Sequence, residues 1–104
     1  MATKEYAGKT VNVTDDGYLT DPSQWTREVA QAIAAEEGIT LTNTHWKVID
    51  FLKKDFAATG ALASMRRINK TGGIATKDLY EMFPDGPLKK AARIAGLPRP
   101  TSCV

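Results

Sequence analysis

The sequence predicts a mainly α domain: a small orthogonal bundle of about five helices, with an N-terminal β-hairpin and a C-terminal arm. Three observations predict it. Apolar residues recur three or four positions apart between Trp25 and Ala95, the helical period. Glycines at 38, 60, 72, 73 and 96 cut that stretch into short segments. Beyond Gly96, Pro98 and Pro100 forbid further helix and favour an extended path.

Each element follows from local signals. Lys9–Thr14 alternates, with Val11 and Val13 on one face, and Asp15-Asp16-Gly17 reads as a hairpin turn returning through Tyr18 and Leu19. The first helix opens at Asp21-Pro22, with Asp21 as cap, and runs to Gly38. Trp25, Val29 and Ile33 form its apolar stripe. The second is capped by Thr42 or Thr44, presents Trp46, Ile49, Leu52 (or Lys53) and Phe56, and ends by Gly60. The third spans Leu62 to Lys70, with Leu62, Met65 and Ile68 three apart, and stops at Thr71-Gly72-Gly73. Thr76 caps a fourth, which carries Leu79, Tyr80, Met82 and Phe83 and ends at Pro84. The fifth starts at Asp85-Gly86-Pro87, runs to Gly96 and turns Leu88, Ala91, Ala92 and Ala95 inward. Residues 97–104 are expected to form a flexible arm on this single domain of residues 1–104.

The 104 residues suit one domain, and 42% hydrophobic content suffices for a modest core. The longest apolar run, Ala32–Ala35, is four residues, against about 20 for a membrane span. No apolar stretch of the secretory kind opens the chain, so the expected compartment is the cytoplasm. One cysteine and one histidine exclude an intramolecular disulfide and the usual Cys or His metal clusters. No cofactor is implied. Residues 1–61 carry six Lys/Arg and nine Asp/Glu, whereas 62–104 carry eight and three. A basic C-terminal half fits an anionic or acidic partner, and equally well a set of solvated helix faces.

Cys103 is the candidate chemical residue. A free cysteine is usually a small buried hydrophobe, but this one ends a proline-stiffened tail, and chain ends are generally exposed. An unperturbed thiol near pKa 8.5 is a few per cent thiolate at neutral pH, and the thiolate is the nucleophile. Arg99 favours that thiolate, while the Val104 carboxylate opposes it. Cys103 lies seven positions beyond Gly96, about 20 Å at the polyproline rise. That length suits a swinging carrier that delivers a thiol to another protein's site. Lys89, Lys90 and Arg93 precede the arm and are candidate docking cations, as are Arg99 and Arg66. The segments flanking Thr71-Gly72-Gly73 also read as a helix-turn-helix, with Arg66, Arg67, Lys70 and Lys77 near the turn. Asp78 and Glu81 on its second helix disfavour direct nucleic-acid binding. His45, near a helix start, reads as a helix-end hydrogen bond.

The stretch LYEMFPDGPLKKAARIAGLPRPTSCV, Leu79 to Val104, resembles the DsrC/TusE family of sulfur carriers, whose pattern there is roughly LYxLFPxGPxKxAxxIAGLPKPxxCV. Asp16-Gly-Tyr-Leu, Trp25, Glu37-Gly-Ile and His45-Trp46 are similar to further family elements in the same order. The resemblance implies a helical fold with an N-terminal hairpin and a mobile arm, whose penultimate cysteine, here Cys103, carries sulfur as a persulfide. It also implies protein partners: an upstream donor of the TusBCD or DsrEFH type, and an acceptor that is a tRNA thiolase or a sulfite-reductase-like complex. DsrC members carry a second cysteine eleven residues before the penultimate one; Ala92 stands there here, which favours the one-cysteine, TusE-like role. Ala63-Ser-Met-Arg66 replaces the family's Pro-x-Ile-Arg. Competing expectations are a helix-turn-helix regulatory protein and a non-catalytic gamma-type subunit of a sulfite reductase.

Overall fold

The computed structural model describes residues 2–100. Strands β1 (Ala2–Tyr6) and β2 (Lys9–Val13) form one antiparallel hairpin in register Ala2–Val13 to Tyr6–Lys9. Ala7 and Gly8, at φ 54° and 77°, link them; two successive positive φ values match the twist of a tight hairpin. The hairpin therefore pairs upstream of β2, not across Asp15-Asp16-Gly17 as the sequence suggested. That segment does turn, with Gly17 donating to the Thr14 carbonyl, but it yields only a single bridge, Val13 to Leu19. Tyr18 and Leu19 are both buried, which breaks the alternation a paired strand needs.

Helix α1 (Arg27–Glu36) starts later than expected. Asp21 caps only a 3₁₀ turn, Pro22–Gln24, and Thr26 is the cap of α1, its hydroxyl accepting from Val29 N–H at 3.1 Å. Trp25 lies between the two in extended geometry, off the α1 stripe. Val29, Ala30, Ile33 and Ala34 form the buried face of α1.

Helix α2 (Asn43–Thr59) begins with a reciprocal cap. His45 Nδ1 accepts from Thr42 N–H at 3.1 Å and lies 2.8 Å from the Thr42 hydroxyl. Its Nε2 faces the Met82 carbonyl at 3.0 Å, and a carbonyl only accepts, so the proton sits on Nε2. The histidine is thus a structural clamp from α2 onto the fourth helix, with its ring edge-on to Phe83. The buried stripe of α2 is His45, Val48, Ile49, Leu52 and Asp55, while Trp46 and Phe56 are half-buried beside it.

Helix α3 (Met65–Lys70) is capped by Ser64, so Leu62 precedes it. In α4 (Thr76–Met82) Thr76 is the first helical residue, not the cap, and its hydroxyl donates to Asn69 Oδ1 at 2.9 Å. Pro87 opens α5 (Pro87–Ile94), where its missing N–H costs nothing. Helix α5 packs on α1, α2 and α4 and is the centre of the fold. Phe83, Ile33, Ile49, Leu52 and Ile94 are among the largest fully buried side chains, each contributing on the order of 2 kcal/mol through burial.

Candidate functional site

The end of α5 fixes where the C-terminal segment leaves the bundle. A helix leaves its last four carbonyls without helical partners, and here all four are met. Leu97 N–H donates to Ala92 O at 2.9 Å and Gly96 N–H to Arg93 O at 3.2 Å, the paired bonds of a Schellman stop. Trp25 Nε1 donates to Ile94 O at 2.8 Å, and Lys53 Nζ reaches Ala95 O at 3.4 Å. Gly96 makes this possible with φ 73°. A Cβ there would lie 2.5 Å from Trp25 Cδ1 and 3.2 Å from Leu19 Cδ1. Gly96→Ala therefore combines a left-handed backbone cost with overpacking, and is expected to lose about 2 kcal/mol in urea unfolding.

Past Gly96 the chain is not free at once. Leu97 is buried in the main core and Pro100 is buried too. Arg99 is exposed but donates to Asp16 Oδ2 at 2.6 Å. The flexible arm expected from residue 97 is thus packed through residue 100 by an apolar anchor at each end. Cys103 lies outside the described residues. Two clefts flank this root. One, about 470 Å³, is lined by Phe56, Gly60–Ser64, Leu88 and Pro98–Pro100. The other, about 460 Å³, is lined by Leu19, Thr20, Pro22, Lys53, Phe56, Ala57 and Gly96–Pro98.

The expected docking cations separate into two groups. Arg99 is exposed beside the clefts, and Arg66 is exposed on α3, in a hollow that shares Ser64 with the first cleft. Lys89 is half-buried, and Lys90 lies 3.8 Å from Glu37. Arg93 departs from the expectation of a docking residue: it is 8% exposed and turned inward. Its Nε donates to Gly17 O at 3.1 Å and a terminal nitrogen to the Tyr6 hydroxyl at 3.0 Å, and it pairs with both Glu36 and Glu37. Burial pushes the Glu36 carboxyl up, but hydrogen bonds from Lys4 and Arg93 outweigh it and hold the group below its ordinary value. Arg67 is likewise committed, donating through Nε and a terminal nitrogen to buried Asp55 at 2.7–2.9 Å. That leaves the helix-turn-helix surface without one of its expected phosphate contacts.

By sequence Lys53 is only an alternative to Leu52 on the α2 stripe. Its ammonium lies 3.8 Å from the centre of the Trp25 ring, a cation–π contact, and burial pushes its pKa down with Asp50 opposing. A lysine one position from a core leucine gives no sequence signal, because the long stem buries while the charge stays near the surface. Ala92, the position of the second DsrC cysteine, is fully buried on α5.

Residues 5–104 match the family model described as DsrC like protein. The chain belongs to the DsrC family. This DsrC-family chain is 39% identical over 105 residues to the sulfite reductase, dissimilatory-type subunit gamma, of Nitratidesulfovibrio vulgaris, and the match covers all of both chains. It is 37% identical over 106 residues to the sulfurtransferase TusE of Salmonella paratyphi A, covering 95% of this chain and 97% of that one. Its fold matches the solution structure of DsrC from Allochromatium vinosum with a TM-score of 0.83 and 37% identity, covering 98% and 97% of the two chains. The five helices and N-terminal hairpin are the family fold. No helix among the described residues is long and apolar enough to cross a membrane.

Proposed function

We propose that this chain is a cytoplasmic sulfur carrier that accepts sulfur as a persulfide on Cys103 and passes it to a partner protein. The observation that carries the reading is the match, over nearly the whole chain, to a protein named a sulfurtransferase, in a chain whose single cysteine is penultimate. Cys103 thiolate attacks the outer sulfur of a donor Cys–S–SH. A new S–S bond forms on Cys103, the donor's S–S bond breaks, and the donor cysteine leaves as thiolate. The proton stays on the transferred sulfur, and the exchange is redox-neutral overall, so thiolate fraction and access govern its rate. Delivery to the acceptor is the same exchange in reverse.

Ala92 favours the TusE-like branch, because a chain with one cysteine forms no internal disulfide or trisulfide. In that branch the donor is TusBCD-like and the acceptor a tRNA thiolase. The 39% identity to a sulfite reductase gamma subunit supports a second reading, in which the acceptor is a sulfite-reductase-type complex. Co-purification with that enzyme in its host, with no persulfide on Cys103, would favour a purely accessory subunit instead. The carrier reading is tested by intact-protein mass spectrometry after exposure to inorganic polysulfide. A gain of about 32 Da that dithiothreitol removes is expected from persulfide chemistry; a thiol that alkylates readily yet gains nothing would count against it.

A further inference from the structure

The two clefts beside the C-terminal root meet at Phe56 and Pro98 and form one continuous surface. Leucines wall it on both sides, Leu62 and Leu88 in one cleft and Leu19 and Leu97 in the other. Lys53 stands in the second cleft with no carboxylate within 4.0 Å among the described residues, whereas Lys4, Arg67, Lys90, Arg93 and Arg99 each have one. Its amine is half-buried and turned to an aromatic face and a backbone carbonyl, which compensate a buried charge less well than a carboxylate would.

Chain length ties this surface to the sulfur. Cys103 follows Pro100 by three residues, and an extended chain spans at most about 3.6 Å per residue, so the two Cα atoms stand within about 11 Å. Pro100 is itself part of the first cleft. A protein that brings its own cysteine sulfur to Cys103 must therefore approach to about that distance from Pro100, and the clefts are the concave apolar surface beside it.

We propose that the protein which loads Cys103 docks on these clefts, seating apolar side chains along Phe56 and Pro98 and setting a carboxylate against Lys53. The proposal rests on the carrier reading above, and the transfer is the exchange already written. An apolar seat supplies area, while a carboxylate placed on a partly desolvated ammonium supplies register and discrimination among partners.

The test compares two sulfur sources. Unmutated protein, Lys53→Gln, Ala57→Gln and the control Lys47→Gln are loaded either with inorganic polysulfide or with a desalted extract of the source organism plus L-cysteine. Mass gain on Cys103 is followed in time. Ala57 and Lys47 are exposed on α2 and ten residues apart, so glutamine is tolerated at both while only the first narrows the cleft. Thermal melts confirm that each variant is folded. Lys53→Gln and Ala57→Gln are expected to slow extract-dependent loading about tenfold and to leave polysulfide loading within about twofold, with Lys47→Gln unaffected in both. Wild-type rates from extract in both cleft variants would overturn the docking surface and leave the carrier chemistry standing. Failure of polysulfide itself to load it would remove the carrier reading, and this surface with it.

Discussion

Cys103→Ser is expected to take up no sulfur from any donor while melting with the unmutated protein. The loss is complete because the chain holds no other thiol. A serine hydroxyl remains protonated at neutral pH and forms no S–S bond, so neither the attack nor the storage of the sulfur survives. In a family member with a cysteine at the position of Ala92, a second thiol would remain to take a share. Stability is expected to hold because the change replaces one atom, and among the described residues the buried apolar cluster already closes on Tyr6, Ile33, Leu52, Phe83 and Leu97. Intact mass after polysulfide treatment, read beside a thermal melt, checks both halves. A serine variant that still gains about 32 Da would place the sulfur elsewhere than on a cysteine persulfide. A variant that melts early would make residue 103 part of the fold.

The helical part of this fold was legible because its punctuation is local. Gly38, Gly60 and Gly96 each adopt positive φ at a helix end, and Pro87 opens α5 where a proline is best tolerated. The hairpin was misplaced because its turn residue Ala7 is held at φ 54° by the pairing of two strands, not by any preference of alanine. Asp15-Asp16-Gly17 offered the stronger local signal and made a turn without a strand partner of any length. At the site, the penultimate cysteine and the prolines were visible as letters. The packing of residues 97–100 was not, because Leu97 is buried by a helix stop that depends on Trp25 and Lys53, far away in sequence. Arg93 shows the same limit from the other side. A cation following Lys89 and Lys90 looks solvated in one dimension, yet the fold wraps it with groups from β1, α1 and the turn at Gly17.

Arg93→Met is expected to cause the largest loss of stability of the substitutions considered, about 3 kcal/mol at neutral pH. Methionine refills much of the volume, so the loss comes from the polar groups left behind. The Gly17 carbonyl loses a donor, the Tyr6 hydroxyl loses a neighbour, and Glu36 and Glu37 lose their shared cation. Removing one member of a buried ion pair typically costs about 3–5 kcal/mol; the lower end applies because the Glu36 side chain is 37% exposed and regains some water. The effect has a pH signature. The folded pKa of Glu36 lies below its ordinary value, so its contribution is fully present above the unfolded pKa of about 4.3 and disappears as pH falls through the folded value. Lys4, 2.8 Å from Glu36, retains part of that dependence in the variant, and the Arg93 part goes. Urea midpoints at pH 7 and pH 3 should therefore show a wide gap between Arg93→Met and the unmutated protein at the first and a narrower one at the second. An equal gap at both would assign the role of Arg93 to its hydrogen bond with Gly17 and to packing, with the carboxylates as bystanders.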